Sequence, residues 1–167
     1  MARIIQVPTA DYAIASAPDS LSTVGIGSCI VICLYAPKTK TGALLHCMLP
    51  REEYDLSNSL RNVDTAVNQV IEEFLAKGIH LPDLTAKIAG GAQMFAGVDN
   101  KETNIGMRNI EEAKRLLTTL KIPIMGEEIG GSRARSLVFE LESGTVTISS
   151  AQLANDDTFD TGLTKIL

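Results

Sequence analysis

The chain of 167 residues contains no tryptophan, and aromatic side chains make up only 4% of it. Proteins that bind single-stranded nucleic acid stack the bases on aromatic rings, and this composition offers few of them. Positive charge is also scarce, because 15 Lys and Arg are set against 20 Asp and Glu and leave a net charge of -5. No uniform field attracts a phosphate backbone. We therefore expect no nucleic-acid partner.

Long apolar runs and secretion features are absent as well. No window approaches the roughly 18 apolar residues of a membrane span, and residues 1–8 lack the apolar stretch of a signal peptide. The cysteines number three, which in a chain without secretion features favours free thiols over a disulfide framework. These absences predict a cytoplasmic protein that is not embedded in a membrane.

The hydrophobic pattern predicts one domain over 1–167, in which strands outnumber helices. Apolar and β-branched segments predict strands at 4–7, 12–16, 29–35, 43–49, 85–88, 122–125, 136–141 and 145–148. Apolar residues with helical spacing predict helices over 63–75, with Gly78 as a C-terminal cap, and over 110–120, with Asn104 as a possible N-cap. The run at 29–35 is apolar on both faces, which places it in the centre of a mixed sheet.

A glycine-bearing segment leads into that central strand and contains Cys29. The thiolate form of a cysteine is an intrinsically strong nucleophile. Gly25 and Gly27 allow a substrate to approach the backbone closely, and the N–H groups of Gly25, Gly27 and Ser28 can point at a developing oxyanion. We predict acyl chemistry at Cys29, with these three residues as the substrate and oxyanion loop.

His46 lies on the next predicted strand, across a hairpin from Cys29. A protonated imidazole near the thiol would lower the pKa of Cys29 and would then protonate a leaving amine. Thr23, on the same loop as Cys29, has a hydroxyl that can orient the imidazole or bind the departing group. The predicted catalytic residues are therefore Cys29, His46 and Thr23.

Two other interpretations of the cysteines remain open. A cysteine in a β-branched strand is usually an inert small hydrophobe. Cys29, Cys33, His46 and Cys47 also have the softness and number of a zinc ligand set. Residues four apart in an extended strand are about 13 Å apart, however, and neighbouring residues point to opposite faces. We expect no metal or cofactor, and we expect Cys33 and Cys47 to be packing residues.

The segment Gly-Gly-Ala-Gln at 90–93 follows a predicted strand and resembles half of a phosphate loop. No Gly-Lys-Ser or Gly-Lys-Thr ending follows it, so the nucleotide signal is weak. A tight exit from the strand and a second wall for the Cys29 pocket are the alternatives. We expect the tight exit and keep the wall as the alternative.

Five blocks of the sequence resemble the CheD family of chemoreceptor glutamine deamidases, in the order and spacing of that family. They are TVGIGSC at 23–29 with CLY at 33–35, HCMLP at 46–50, KIAGGAQM at 87–94, IGMRN at 105–109, and a Pro-, Gly- and Arg-bearing block at 122–135. The resemblance implies an α/β fold in which a mixed β-sheet sandwich carries two main helices packed outside. It also implies kinship with toxin-type cysteine deamidases.

The function implied by the resemblance is conversion of specific glutamines of methyl-accepting chemotaxis receptors to glutamate, with release of ammonia. Family roles then fall on Cys29 as nucleophile, His46 as general base and acid, and Thr23 as the third polar member. No cofactor is implied. The implied partners are the receptors, as substrate, and the phosphatase CheC. The alternative is a weakly catalytic or non-catalytic adaptor that binds the receptors and stimulates CheC.

The tail at 151–167 extends beyond the familiar blocks. We expect a loosely docked helix or a frayed end there.

Overall fold

A computed structural model of the chain describes residues 1–51, 60–94, 104–150 and 163–167. Its strands in chain order are β1 (Ile4–Gln6), β2 (Asp11–Ser16), β3 (Ser20–Ile26), β4 (Ile30–Ala36), β5 (Thr41–Cys47), β6 (Thr85–Gly90), β7 (Ile124–Ile129), β8 (Arg135–Glu140), β9 (Val146–Ser150) and β10 (Leu163–Ile166). Helix α1 (Val63–Ala76) lies between β5 and β6, and helix α2 (Ile105–Thr119) between β6 and β7. None of the helices in these ranges is long and apolar enough to cross a membrane.

The strands form two five-stranded sheets. The first sheet has the order β1-β3-β8-β9-β10 and the second the order β2-β5-β4-β6-β7. Both sheets are mixed, since β1 pairs with β3 and β6 with β7 in parallel while the other pairs are antiparallel. The prediction of an α/β fold with mixed sheets and two helices is confirmed.

Strand β4 lies at the centre of the second sheet and is buried on both faces, as its apolar run predicts. Successive side chains of a strand point to opposite faces. Ile30, Ile32 and Leu34 accordingly pack in a core with the two helices, whereas Val31 and Cys33 pack in a second core against the first sheet. The molecule is thus layered as helices, second sheet and first sheet.

The two helix caps that the sequence predicts are both present. At the end of α1, Gly78 has a φ of +78°, which glycine adopts without strain. Its N–H donates to the carbonyl of Leu75, and the next N–H, of Ile79, donates to the carbonyl of Phe74 at 2.9 Å. This pair of bonds is a Schellman motif. At the start of α2 the side chain of Asn104 accepts from the N–H of Met107 at 3.0 Å, which confirms the predicted N-cap.

The structure differs from the sequence prediction at β3. The sequence predicts a loop around Thr23 and Gly25, whereas both residues lie in this strand. The glycines suggest a turn, but Gly25, with a φ of +69°, lies in a bulge within β3 where the register with β8 shifts between Thr23 and Ile26. A bulge accommodates a glycine with positive φ and leaves the strand on either side intact. Long-range pairing with β8 therefore overrides the local turn signal.

The end of the chain is a second difference. Residues 163–166 form β10, which pairs with β9, rather than a helix or a frayed end. The ammonium of Lys165 lies 2.8 Å from a carboxylate oxygen of Glu128 in β7, so this strand also contacts the edge of the other sheet. The part of the predicted tail at 151–162 lies outside the described residues.

Replacement of Phe74 tests the helix-side core. Phe74 is fully buried, whereas its neighbour Leu75 is 46% exposed. We expect Phe74→Ala to lower the free energy of unfolding by about 3–5 kcal/mol, because it removes a large side chain from a packed core. Leu75→Ala, the matched control, changes it by about 0.5 kcal/mol. Urea unfolding measures both, and equal losses would show that this face of α1 does not carry the core.

Candidate active site

The turn that contains Cys29 connects the two sheets. Strand β3 of the first sheet ends at Ile26, strand β4 of the second begins at Ile30, and residues 27–29 cross between them. The sequence suggests that Thr23 lies on this turn. In the structure it is instead a buried residue of β3. Gly25 also belongs to β3, so only Gly27 and Ser28 of the predicted loop residues lie beside Cys29.

Three successive carbonyls of the turn are tied to neighbouring segments. The carbonyl of Gly27 accepts from the N–H of Ala92 at 3.0 Å, and that of Cys29 accepts from the N–H of Gly91 at 2.8 Å. The carbonyl of Ser28 accepts from the side-chain Nδ2 of Asn109 at 2.8 Å. Within the described residues, the N–H groups of Gly27 and Ser28 donate to no backbone carbonyl. The turn thus has its carbonyls occupied, while these two amides have no backbone acceptor in the described part of the chain.

The segment after β6 packs directly behind this turn. A Cβ atom at Gly90, whose φ is +112°, would lie 2.3 Å from the carbonyl oxygen of Cys29. No larger residue fits there without moving the backbone of Cys29. Of the two alternatives for residues 90–93, the structure favours a wall for the Cys29 site, since Gly91 and Ala92 both hydrogen-bond to the turn.

His46 is fully buried in β5 and lies opposite Val31 of β4. Its place in the strand alternation, two residues after Leu44, directs it into the core between the sheets. Thr23 reaches this core from β3, two residues after the buried Leu21. The hydroxyl Oγ1 of Thr23 lies 2.7 Å from Nδ1 of His46, so the structure brings these two predicted residues together.

The hydrogen bonds of Thr23 determine the tautomer of His46. Oγ1 of Thr23 donates its only proton to the carbonyl of Val7 at 2.7 Å. It must then accept from His46, which places the imidazole proton on Nδ1. Nε2 carries the lone pair, and among the described residues this buried atom has no hydrogen-bond partner. This hydrogen bonding holds His46 as a neutral imidazole whose Nε2 lone pair has no donor within the described ranges.

Burial shifts both predicted titratable residues towards their neutral forms. Desolvation lowers the pKa of His46 below its ordinary value and raises the pKa of Cys29, whose side chain is half-buried. The sequence leads us to expect an imidazolium that lowers the pKa of Cys29, whereas in the unbound protein desolvation of the thiol is the largest influence and raises that pKa. Both pKa shifts favour a neutral thiol and a neutral imidazole near neutral pH.

The other cysteines are packing residues, as predicted. Cys33 is buried in the core between the sheets and Cys47 in the core beside the helices, so they lie on opposite faces of the second sheet. Burial raises the pKa of both thiols. No group of three or more His, Cys, Asp or Glu in the described ranges is arranged to hold a metal ion.

Asn109 is the site residue that sequence reasoning missed. It occurs in a block that carries the family resemblance, but no role is predicted for it. Its amide is fully buried, and Nδ2 contacts both the carbonyl of Ser28 and the carbonyl of Met48. The available signal is its position on α2: Asn109 lies on the same face as Ala113 and Leu116, where the pattern calls for an apolar side chain.

Known proteins with similar sequences place the chain in a family. A family model described as "CheD chemotactic sensory transduction" matches residues 48–150. A curated relative from Desulforamulus reducens, "Probable chemoreceptor glutamine deamidase CheD", is 44% identical over 147 residues, which cover 86% of this chain and 89% of the relative. The chain belongs to the CheD family.

Two further CheD relatives show the breadth of this similarity. The "Chemoreceptor glutamine deamidase CheD" of Thermotoga maritima is 38% identical over 138 residues, covering 83% of this chain and 86% of the relative. A "Probable chemoreceptor glutamine deamidase CheD" of Pyrococcus abyssi is 39% identical over 148 residues, covering 87% of this chain and 91% of the relative. The CheD similarity thus extends over most of the chain.

The tautomer of His46 is open to direct measurement. Nitrogen NMR of the imidazole should find Nδ1 protonated and Nε2 unprotonated at neutral pH. Because the pKa of His46 is lowered, the unfolded chain binds its proton first, and stability falls as the pH falls below about 6.5. Thr23→Val removes the hydrogen-bond acceptor and should shift the His46 ring signals.

Ser22→Ala is the matched control, since Ser22 is a buried neighbour whose hydroxyl has no partner among the described residues. Its His46 signals should equal those of the unmodified chain. An Nε2-protonated imidazole in the unmodified chain would contradict the assignment.

The reactivity of Cys29 tests its resting protonation state. Iodoacetamide alkylation should accelerate with pH towards a midpoint above about 8.5, the ordinary value for a thiol, because burial raises the pKa of Cys29. Mass spectrometry follows the reaction, and Cys29→Ala, which retains the buried Cys33 and Cys47, supplies the background rate. A midpoint below pH 7 would instead establish a resting thiolate–imidazolium pair.

Proposed function

We propose that this chain is a hydrolase that deamidates glutamine side chains of methyl-accepting chemotaxis receptors. The observation that carries the proposal is the buried imidazole of His46, which is hydrogen-bonded at Nδ1 to Thr23 and has no partner at Nε2 among the described residues. Cys29 immediately precedes the strand that pairs with the strand of His46. The relatives are named chemoreceptor glutamine deamidases, which supports glutamine as the substrate side chain.

The first half of the reaction forms a thioester. Nε2 of His46 takes the proton of the Cys29 thiol as the sulfur attacks the glutamine side-chain carbonyl carbon. The carbonyl electron pair moves onto oxygen. When it returns, the carbon–nitrogen bond breaks, and the leaving nitrogen takes the proton from His46. Ammonia departs, and Cys29 is acylated.

The second half restores the enzyme. His46, neutral again, takes a proton from water as the water oxygen attacks the thioester carbon. The carbon–sulfur bond breaks, the sulfur recovers a proton from His46, and a glutamate side chain leaves. Both halves use one proton carrier, and no oxidant, metal or organic cofactor enters the scheme.

The oxyanion of each tetrahedral intermediate needs donors that are already in place. The N–H groups of Gly27 and Ser28 have no backbone acceptor among the described residues, and the carbonyls of the same two residues are held by Ala92 and Asn109, which supports the turn as this donor site. Gly25 lies within β3, so its contribution to the oxyanion site is less direct. It acts through the bulge that precedes the turn. Thr23 acts as the orienting member, through the hydrogen bond to His46.

The neutral resting forms are compatible with this mechanism. A thiol that does not ionise in the unbound protein is activated when its proton moves to His46 during attack, as in other nucleophile and base pairs. The proposal therefore requires proton transfer within the substrate complex, not a stored thiolate.

The receptors are the proposed substrate and CheC the proposed regulatory partner, in the cytoplasm. Support for CheC comes from the family resemblance of the sequence blocks. Kinship with toxin-type deamidases and a single domain over 1–167 remain predictions.

Replacement of the nucleophile tests the activity. The unmodified chain, incubated with a receptor cytoplasmic fragment, should release ammonia and convert receptor glutamines to glutamates, which peptide mass mapping detects. Cys29→Ala should lower the rate by roughly 10³-fold or more, since the thioester cannot form. Cys33→Ala is the control and should retain activity.

Deamidation that persists in Cys29→Ala would remove Cys29 from the mechanism. The adaptor function would replace the proposal if the unmodified chain left receptor glutamines unchanged while both it and Cys29→Ala stimulated CheC equally.

A further inference from the structure

Asn109 connects the backbone on both sides of the candidate site. Its Nδ2 donates to the carbonyl of Ser28 at 2.8 Å and to the carbonyl of Met48 at 3.0 Å. Ser28 precedes Cys29, and Met48 follows His46 by two residues. One amide group thus joins the turn of the nucleophile to the chain just beyond the strand of the base.

We propose that Asn109 is a positioning residue that sets the Cys29 sulfur relative to His46. The inference rests on the proposed function, because it assigns Cys29 and His46 to one reaction. Asn109 does not touch the substrate in this scheme. It acts through its hydrogen bonds to the two carbonyls. These bonds fix the distance between the backbone at Ser28 and the backbone at Met48, which reach the site from different directions.

Helix α2 gives Asn109 a rigid base. A Cβ atom at Gly106, one turn earlier, would lie 2.5 Å from the carbonyl oxygen of Ala92 and 2.6 Å from that of Gly91. The helix backbone therefore packs directly on the segment whose N–H groups bind the carbonyls of Cys29 and Gly27. A shift of α2 would disturb every anchor of the turn.

A second anchor lies one turn later on the same helix. The carboxylate of Glu112 is almost fully buried, and its oxygens bind Arg51 at 2.8 Å and Arg115 at 2.6 Å. Arg51 follows Met48 by three residues. Two successive turns of α2 therefore contact the chain after β5, through Asn109 and Glu112. The Glu112 contact helps to keep the Met48 carbonyl in place for Asn109.

The side-chain oxygen of Asn109 shows that packing alone does not explain an amide at this position, whereas the hydrogen bonds donated by the side-chain nitrogen do. Oδ1 is buried and has no hydrogen-bond partner among the described residues. A buried polar atom without a partner is unfavourable, and a leucine of similar size would fill the same volume without that atom. Packing alone therefore favours an apolar residue here. The two hydrogen bonds donated by Nδ2 are what an apolar residue cannot supply.

Steady-state kinetics of Asn109→Leu test this role. We expect kcat for receptor deamidation to fall at least tenfold, with KM within twofold, because substrate contacts remain while the reacting groups are misplaced. Asn109→Asp should lose kcat as well, since it preserves the size of the side chain and replaces the donating NH₂ with oxygen. The matched control is Asn104→Ala, which removes the cap of the same helix and lowers thermal stability, with kcat unchanged.

A readout without substrate separates this inference from the proposed function. Alkylation of Cys29 at fixed pH should change at least threefold in Asn109→Leu and not in Asn104→Ala. If the unmodified chain deamidates nothing, the proposed function fails, while the alkylation comparison still reports whether Asn109 holds the Cys29 turn.

Unchanged kcat and alkylation in Asn109→Leu would overturn the inference, as would an equal loss in Asn104→Ala. If Asn109→Leu does not fold, Asn109→Asp carries the test. Failure of both variants to fold, seen by circular dichroism, would assign Asn109 to stability alone and overturn its positioning role.

Discussion

The hydrogen bond between Thr23 and His46 is the contact on which the site depends. It crosses the core between the sheets, joining β3 of one to β5 of the other. Because Thr23 gives its proton to the carbonyl of Val7, the bond also decides which imidazole nitrogen carries the proton. One interaction thereby couples the packing of the two sheets to the tautomer of the buried imidazole of His46.

Burial has a chemical consequence beyond stability. Desolvation raises the pKa of Cys29 and lowers the pKa of His46, which favours the uncharged forms of both while the site is unbound. An exposed thiolate reacts with oxidants and electrophiles. On the proposed mechanism, nucleophilicity develops only when a carbonyl carbon is in position to receive the electron pair, and the resting protein is protected from that damage.

Much of the architecture is readable from local pattern. The double-faced apolar run of β4, the helical spacing of α1, and the caps at Gly78 and Asn104 all appear where the sequence predicts them. These features depend on neighbours within a few residues. Strand β3 is not predicted, because it is specified by pairing with β8, far along the chain, while its glycines indicate a turn. The terminal β10 is not predicted either, because it is specified by pairing with β9, while its polar surroundings indicate a loose end.

Residue types and spacing alone determined the candidates: a cysteine after glycines, a histidine across a hairpin and a threonine upstream. Only the tertiary structure decided that Thr23 contacts His46, that Nε2 has no partner within the described ranges, that burial favours the neutral thiol and imidazole, and that Asn109 connects Ser28 to Met48. The reason is physical. Tautomer, desolvation and backbone anchoring depend on groups that are distant in sequence and become neighbours only when both sheets and α2 are packed together.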